Sequence, residues 1–217
     1  MRSRRLLNLG LLGVALISSA AFGAPSAGLP PILKEVEAKY TAGKTLTAKF
    51  EQTNWVASLK RKQVSSGLIF VQRPDKFRWE TASPDKNILV GDGKTYWFYT
   101  PPFDETEHGQ LIIRKSSQIQ SKLANALLSG SLSSMKDVKV MQDTPTQFVL
   151  TPKKGTAGDV VQTSIEIDLE KKLIKKVYLE HKDGNHTEIT LSEIELGKKL
   201  DEGLFTFVTP KNTDIVK

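Results

Sequence analysis

The sequence predicts a mainly β protein, an antiparallel barrel or sandwich carrying a few helices. Three observations lead there. About a dozen short segments alternate apolar and polar residues at close spacing, the signature of an all-β architecture. Several of the central ones are apolar at every position, so both faces of the sheet must be covered. Only two stretches, near residues 30–43 and 117–129, carry helical spacing.

The first element is an export signal rather than part of the fold. Arg2, Arg4 and Arg5 precede an apolar run over 6–21, followed by the small residues Ala21, Gly23 and Ala24. The run is shorter than the ~20 residues a membrane span needs. Residues 1–23 are therefore expected to be a signal peptide cut after Gly23, leaving residues 24–217 as one soluble periplasmic domain. Its removal takes away three arginines and no acid, lowering the net charge from +7 to +4. So small an excess gives no reason to expect a nucleic-acid partner. The chain has no cysteine, which excludes disulfides, thiol catalysis, Cys-ligated metals and a lipid anchor on this chain itself.

The mature chain opens on a helix. Pro30 and Pro31 suit its first turn, Ile32, Leu33, Val36 and Tyr40 recur at helical spacing, and Gly43 fits its stop. Strands are then expected around Leu46 to Phe50, Leu68 to Arg73, Phe77 to Thr81, Ile88 to Val90 and Tyr96 to Tyr99, with a hairpin turn at Gly91-Asp92-Gly93-Lys94. Further strands are expected near 110–115, 137–141, 147–152, 160–169, 173–182, 186–196 and 204–209; residues 100–109 and 129–134 read as loops. In the hairpin over 173–196, a three-residue loop Asp183-Gly184-Asn185 would set Leu179 opposite Ile189 and Val177 opposite Leu191. Ile194 and Leu196 then fall out of phase, which places a bulge near Ser192-Glu193. The second helix has Ile119, Leu123 and Leu127 every four residues, a Ser117 cap and a Gly130 stop. It and the first helix are the candidates to cover the second apolar face.

No pattern of catalytic chemistry is present. There is no Gly-x-Ser-x-Gly elbow, phosphate loop or dinucleotide fingerprint. His181 and His186, with Asp183, flank a turn but lack the further ligands a metal needs. Asp104, Glu105, Glu107 and His108 read as a solvated loop. No enzyme activity, metal or cofactor is expected.

The run Phe50-Glu51-Gln52, then Ser66 to Trp79, Ile88 to Thr95 and Trp97-Phe98-Tyr99, with Leu150-Thr151-Pro152-Lys153 and Phe205-Thr206-Phe207 later, resembles the LolA family of periplasmic carriers of outer-membrane lipoproteins. The resemblance runs along the mature chain and is most specific from Gly67 to Tyr99. It implies an unclosed antiparallel β-barrel of about 11–12 strands with an α-helical lid over an apolar cavity. It implies a monomer that takes lipoprotein acyl chains from an inner-membrane exporter (LolCDE) and passes them to an outer-membrane receptor (LolB or an equivalent). The family's lid-latching arginine maps onto Arg73, here preceded by Gln72 where a basic residue is common, and the lid helix onto 117–129 with Ile119, Leu123 and Leu127. The aromatic pair maps onto Phe77 and Trp79, with Phe77 at the rim or against the exporter.

On the two-sided apolar pattern, Leu46, Phe50, Leu68, Phe70, Trp79, Val90 and Trp97 are expected to line the cavity, although such residues serve equally as packed core, since barrels of this size are filled or hollow. The alternative function is a periplasmic lipid- or lipoprotein-sensing module of the same fold acting on a signalling partner; such modules generally carry an extra domain, for which 24–217 leaves little room.

Overall fold

A computed structural model describes residues 28–104, 106–115, 130–135, 137–154 and 157–216. The expected signal peptide and the expected helix over 117–129, with Ile119, Leu123 and Leu127, lie outside the described residues. The chain forms helix α1 (Pro31–Gly43) followed by strands β1 (Thr45–Val56), β2 (Arg61–Gln72), β3 (Lys76–Ser83), β4 (Asn87–Asp92), β5 (Thr95–Thr100) and β6 (Gly109–Lys115). Then come β7 (Val138–Gln142), β8 (Gln147–Pro152), β9 (Val160–Asp168), β10 (Leu173–His181), β11 (His186–Leu196) and β12 (Thr213–Val216). All twelve join one sheet in the order β12-β6-β5-β4-β3-β2-β1-β11-β10-β9-β8-β7. Its two end strands do not pair, so the barrel is unclosed. Every pair is antiparallel except β12 on β6, which is parallel.

Residues directly opposite one another in adjacent strands share a face, so the register sorts the side chains. Leu46, Ala48 and Phe50 lie opposite Val71, Ile69 and Gly67. Val71 and Ile69 lie opposite Phe77 and Trp79, which lie opposite Gly91 and Leu89, and these opposite Tyr96 and Phe98. On the other side of β1, Phe50 and Gln52 lie opposite Leu191 and Ile189, and Ile189 opposite Val177. This is the concave face. Leu33, Val36 and Tyr40 of α1 are buried against it, in a core that also takes Ile165, Ile167, Phe148 and Leu150. Burial of that helical stripe, at roughly 25 cal/mol per Å² of apolar surface, is what holds α1 in place.

The opposite face of β2–β6 is apolar as well, and α1 does not cover it. Residues 200–212 cross it as a strap, with a 3-10 helix at Glu202–Phe205 capped by Asp201, whose carboxylate accepts from Gly203 N–H. Phe205 is buried, and Phe207 packs its ring against Tyr99 at 5.5 Å. Glu202 binds Gln72 and Lys76, and Arg78 donates to the Leu204 carbonyl. The strand expected near 204–209 is thus this strap. The last strand is β12, and Gly109 N–H donating to the Asn212 carbonyl aligns it on β6.

Two details of register complete the picture. The β10–β11 hairpin sets Val177 opposite Ile189 and Leu179 opposite Thr187, two residues from the expected pairing. Gly184 (φ 81°), not Asn185, is left-handed there. Asn185 is used otherwise: its N–H and side-chain amide donate to Asp183, and its Oδ1 accepts from Ala57 N–H. The β11 bulge lies where it is expected, with Thr47 opposite Glu195 but Lys49 opposite Ser192, and Glu193 at φ 48°.

Candidate functional site

The concave face has two halves. Over β8–β11 and β1 it is filled by α1. Over β3–β6 it carries Phe77, Trp79, Leu89, Phe98 and Ile112, all only partly buried, and Phe98 keeps 38% of its surface exposed. Glycines make room for the rings along the boundary. Phe50 lies over Gly67 to reach Trp79, centroids 4.3 Å apart, and Phe77 lies over Gly91 to reach Tyr96 at 5.3 Å. A Cβ on Gly91 would sit 2.7 Å from the Phe77 ring, and one on Gly67 only 1.8 Å from the Glu80 carbonyl oxygen. The result is a row of mainly apolar and aromatic side chains that offers dispersion contact, with Arg114 opposite Tyr96 on β6.

Of the seven residues expected to line a cavity, Leu46, Phe50 and Trp79 are on this face. Leu68, Phe70, Val90 and Trp97 are not. Leu68 and Phe70 lie opposite Lys49 and Thr47, and Val90 opposite Arg78 and Trp97. Their face is the one the strap crosses, and Val90 is fully buried. The correction has a simple cause: residues 68–71 are apolar at every position, so alternation carries no phase there. Ile69, Leu89, Tyr96, Phe98 and Ile112 are concave residues that sequence reasoning passed over; the Gly91–Lys94 turn, which sets Leu89 opposite Phe98 and Gly91 opposite Tyr96, was the signal that could have found three of them.

Arg73 stands where β2 ends beside α1. Its backbone N–H donates to the Lys44 carbonyl at 2.9 Å. Its guanidinium lies 5.9 Å from the Tyr40 ring centroid and donates to Ser131 Oγ at 3.2 Å. Among the described residues its side-chain bond thus goes to a hydroxyl, not to a backbone carbonyl, and its buried Nη2 has no partner. Burial lowers the Arg73 pKa, opposed by the charge of Glu37 and by Tyr40. Burial also pushes the Tyr40 phenol up to about 12, against the lowering effect of its bond from Ile174 N–H. Ser131 belongs to a segment fixed to α1: Leu132 is buried, Ser133 donates its N–H and hydroxyl to Glu37, and Gly130 (φ 65°) lies against Tyr40 so closely that a Cβ would come within 2.5 Å of the ring.

The residues weighed for other chemistry are dispersed. His186 stacks on Trp55 and lies tilted against Tyr178, His108 pairs with Asp214, and Asp183 holds Asn185. Among the described residues no group of three or more His, Asp or Glu side chains is placed to hold a metal ion, and no helix is long and apolar enough to cross a membrane.

The molecule is thus an open one-sheet barrel, apolar on its concave face and half filled there by a helix. The family model described as outer membrane lipoprotein carrier protein LolA matches residues 41–208. The chain belongs to the LolA family. It is 27% identical over 216 residues to an outer-membrane lipoprotein carrier protein of Azotobacter vinelandii, covering 95% of this chain and 99% of that one. It is 29% identical over 207 residues to the protein of the same description from Vibrio parahaemolyticus, covering 94% of each. Among solved structures, an uncharacterized conserved protein from Thermus thermophilus matches at a TM-score of 0.50 and 13% identity, covering 84% of this chain and 97% of that one, a likeness of fold. The LolA-family match begins inside α1 and ends within the strap, so it takes in β1 to β11.

Proposed function

We propose that this LolA-family chain is a periplasmic carrier. It binds the acyl chains of lipoproteins released from the inner membrane by a LolCDE-type exporter and delivers them to an outer-membrane receptor of the LolB kind. The observation that supports this reading is the concave face over β3–β6, where Trp79, Leu89, Phe98 and Ile112 stay partly open although the neighbouring half is packed by α1. An acyl chain in water costs roughly 0.8 kcal/mol per CH₂, so about sixteen carbons exceed ~10 kcal/mol, and an apolar shelter suffices to carry it. The reading calls for no catalytic group.

Arg73 is the proposed latch. We assign the latch to its one guanidinium hydrogen bond among the described residues, to Ser131 Oγ, which adds to the contacts of Ser133 and Gly130 with α1; a charge-assisted bond of this kind is worth about 1.5–3 kcal/mol. Entry of acyl chains competes with that closure. Arg73→Leu should therefore raise affinity for a lipoprotein by roughly 10- to 100-fold and slow its release. We assign Phe77, which packs beside Tyr96, to the rim of the apolar face or to contact with the exporter.

The test measures loading and transfer separately, with a purified lipoprotein and receptor-bearing membranes. Trp79→Asp should abolish loading while the sheet survives by circular dichroism, and Arg73→Leu should load at least as well as the parent and accumulate as a complex. Normal loading by Trp79→Asp would sink the carrier site. Parent-like transfer by Arg73→Leu would sink the latch.

A further inference from the structure

The far end of the β1–β2 hairpin carries a group of side chains that neither the core nor the concave site uses. β1 ends at Val56, residues Ala57–Leu59 make a 3-10 turn, Lys60 takes a left-handed φ of 48°, and β2 starts at Arg61. β3 accompanies β2 only as far as Ser66, so Arg61 to Ser65 pair with β1 alone and the tip stands clear of β3. The tip is nonetheless fixed, because Ala57 N–H donates to Asn185 Oδ1 at 2.8 Å in the neighbouring turn. At its apex Leu59 is 60% exposed, and Val64 behind it is 51% exposed. Lys60, Arg61 and Lys62 are consecutive and exposed, and none makes an ion pair among the described residues. Trp55 lies directly opposite Lys62, stacked on His186.

The geometry points to a docking tip for an anionic phospholipid bilayer. Alternation sends Arg61 and Lys62 to opposite faces of the hairpin, while Leu59 and Lys60 occupy the turn itself. A partner lying on one face, or a peptide strand along the edge of β2, would meet only part of this set. A plane met end-on by the tip meets all four. A negative bilayer surface attracts each such cation, by roughly fivefold in binding constant. The leucine can enter the headgroup region, and Trp55 behind it is of the type that settles at that level. Three cations and one leucine give weak, reversible docking, which suits contact that must end quickly. Arg73 lies at the other end of β2, twelve residues away, or about 40 Å. Docking by the tip therefore leaves the concave site free, and the inference stands apart from the carrier reading.

The experiment is vesicle flotation of protein made from the full chain, its N-terminus defined by mass spectrometry, with no lipoprotein present. Vesicles of phosphatidylcholine alone are compared with vesicles containing phosphatidylglycerol in about equal proportion. The protein should float with the anionic vesicles only, and less as salt rises. Lys60→Glu with Lys62→Glu should lower binding at least about tenfold, and Leu59→Ser should weaken it at constant charge. The charge-matched control Lys198→Glu with Lys199→Glu should bind like the parent. Circular dichroism and acyl-probe binding, unchanged in all variants, show that fold and concave site are intact. Four results would overturn the inference: no binding to anionic vesicles at low salt, equal binding to neutral ones, binding that survives the tip substitutions, or tip-dependent binding of polyglutamate without binding of vesicles.

Discussion

At the scale of single residues, Tyr40 shows how one side chain joins helix, sheet and site. Its ring packs in the core, its oxygen accepts the Ile174 N–H at 3.0 Å, and Arg73 lies over its face. The phenol titrates near 12 in the folded chain, against about 10 when unfolded. A pKa raised by folding means that the stabilisation is complete below pH 10 and is lost as the pH climbs through 12. The loss is of the order of 2–3 kcal/mol. Tyr40→Phe should cost about 1 kcal/mol at neutral pH, because the Ile174 N–H loses its acceptor, and should flatten this alkaline decline. Urea unfolding of both proteins from pH 7 upward tests it; parallel decline would show that Tyr40 is not the group responsible. Residue pattern made Leu33, Val36 and Tyr40 legible as a buried stripe, and the Leu46, Ala48, Phe50 set as one face. It put Leu68, Phe70, Val90 and Trp97 on the wrong face, since both faces of their strands are apolar and only the ladder between strands decides which side is which.

At the scale of elements, the strap is the part that sequence reasoning misread. Leu204, Phe205, Phe207 and Val208 lie among polar residues much as in a strand, yet Asp201 caps a 3-10 turn there and the segment crosses the sheet instead of joining it. Phe205 is 1% exposed, as buried as the core residues Ile165 and Ile174. Phe205→Ala should therefore destabilise the protein by about 3–5 kcal/mol, read as a lowered urea midpoint with increased binding of an environment-sensitive dye. A change under ~1 kcal/mol would mean that the strap merely rests on the sheet. Glu202 extends the same contact: hydrogen bonds from Lys76 and Gln72 hold its carboxyl below the usual range. By contrast, the α1 boundaries and the Gly91–Lys94 turn were legible, because local chemistry alone sets them: Pro31 at the helix start, and the Asp92 carboxylate accepting from the Lys94 and Thr95 N–H groups in the turn.

At the scale of the whole molecule, one sheet of twelve strands is covered, among the described residues, by α1 on the concave side and by the strap on the other. Stability should fall outward from the middle. β1, with twelve residues, is paired on both sides by β2 and β11, whereas β12 has four residues and β7 five, each with a single neighbour. Hydrogen exchange read by mass spectrometry should release β12 and β7 first and β1 last; equal protection of β12 and β1 would contradict this order. That the sheet is unclosed, and that the strap covers its outer face, depends on contacts between residues far apart in the chain, which no local pattern encodes. The parallel pairing of β12 with β6 has a consequence in time. A chain that emerges N-terminus first completes β1 to β6 long before residues 202–216 are free to reach them. Until then Val90, Tyr99 and Leu111 face water on the outer side of a half-built sheet. Residues 202–216 thus finish a half of the molecule begun far earlier in the chain, and a chaperone that met the partly emerged protein would find its hydrophobic target there, on the side away from the concave face.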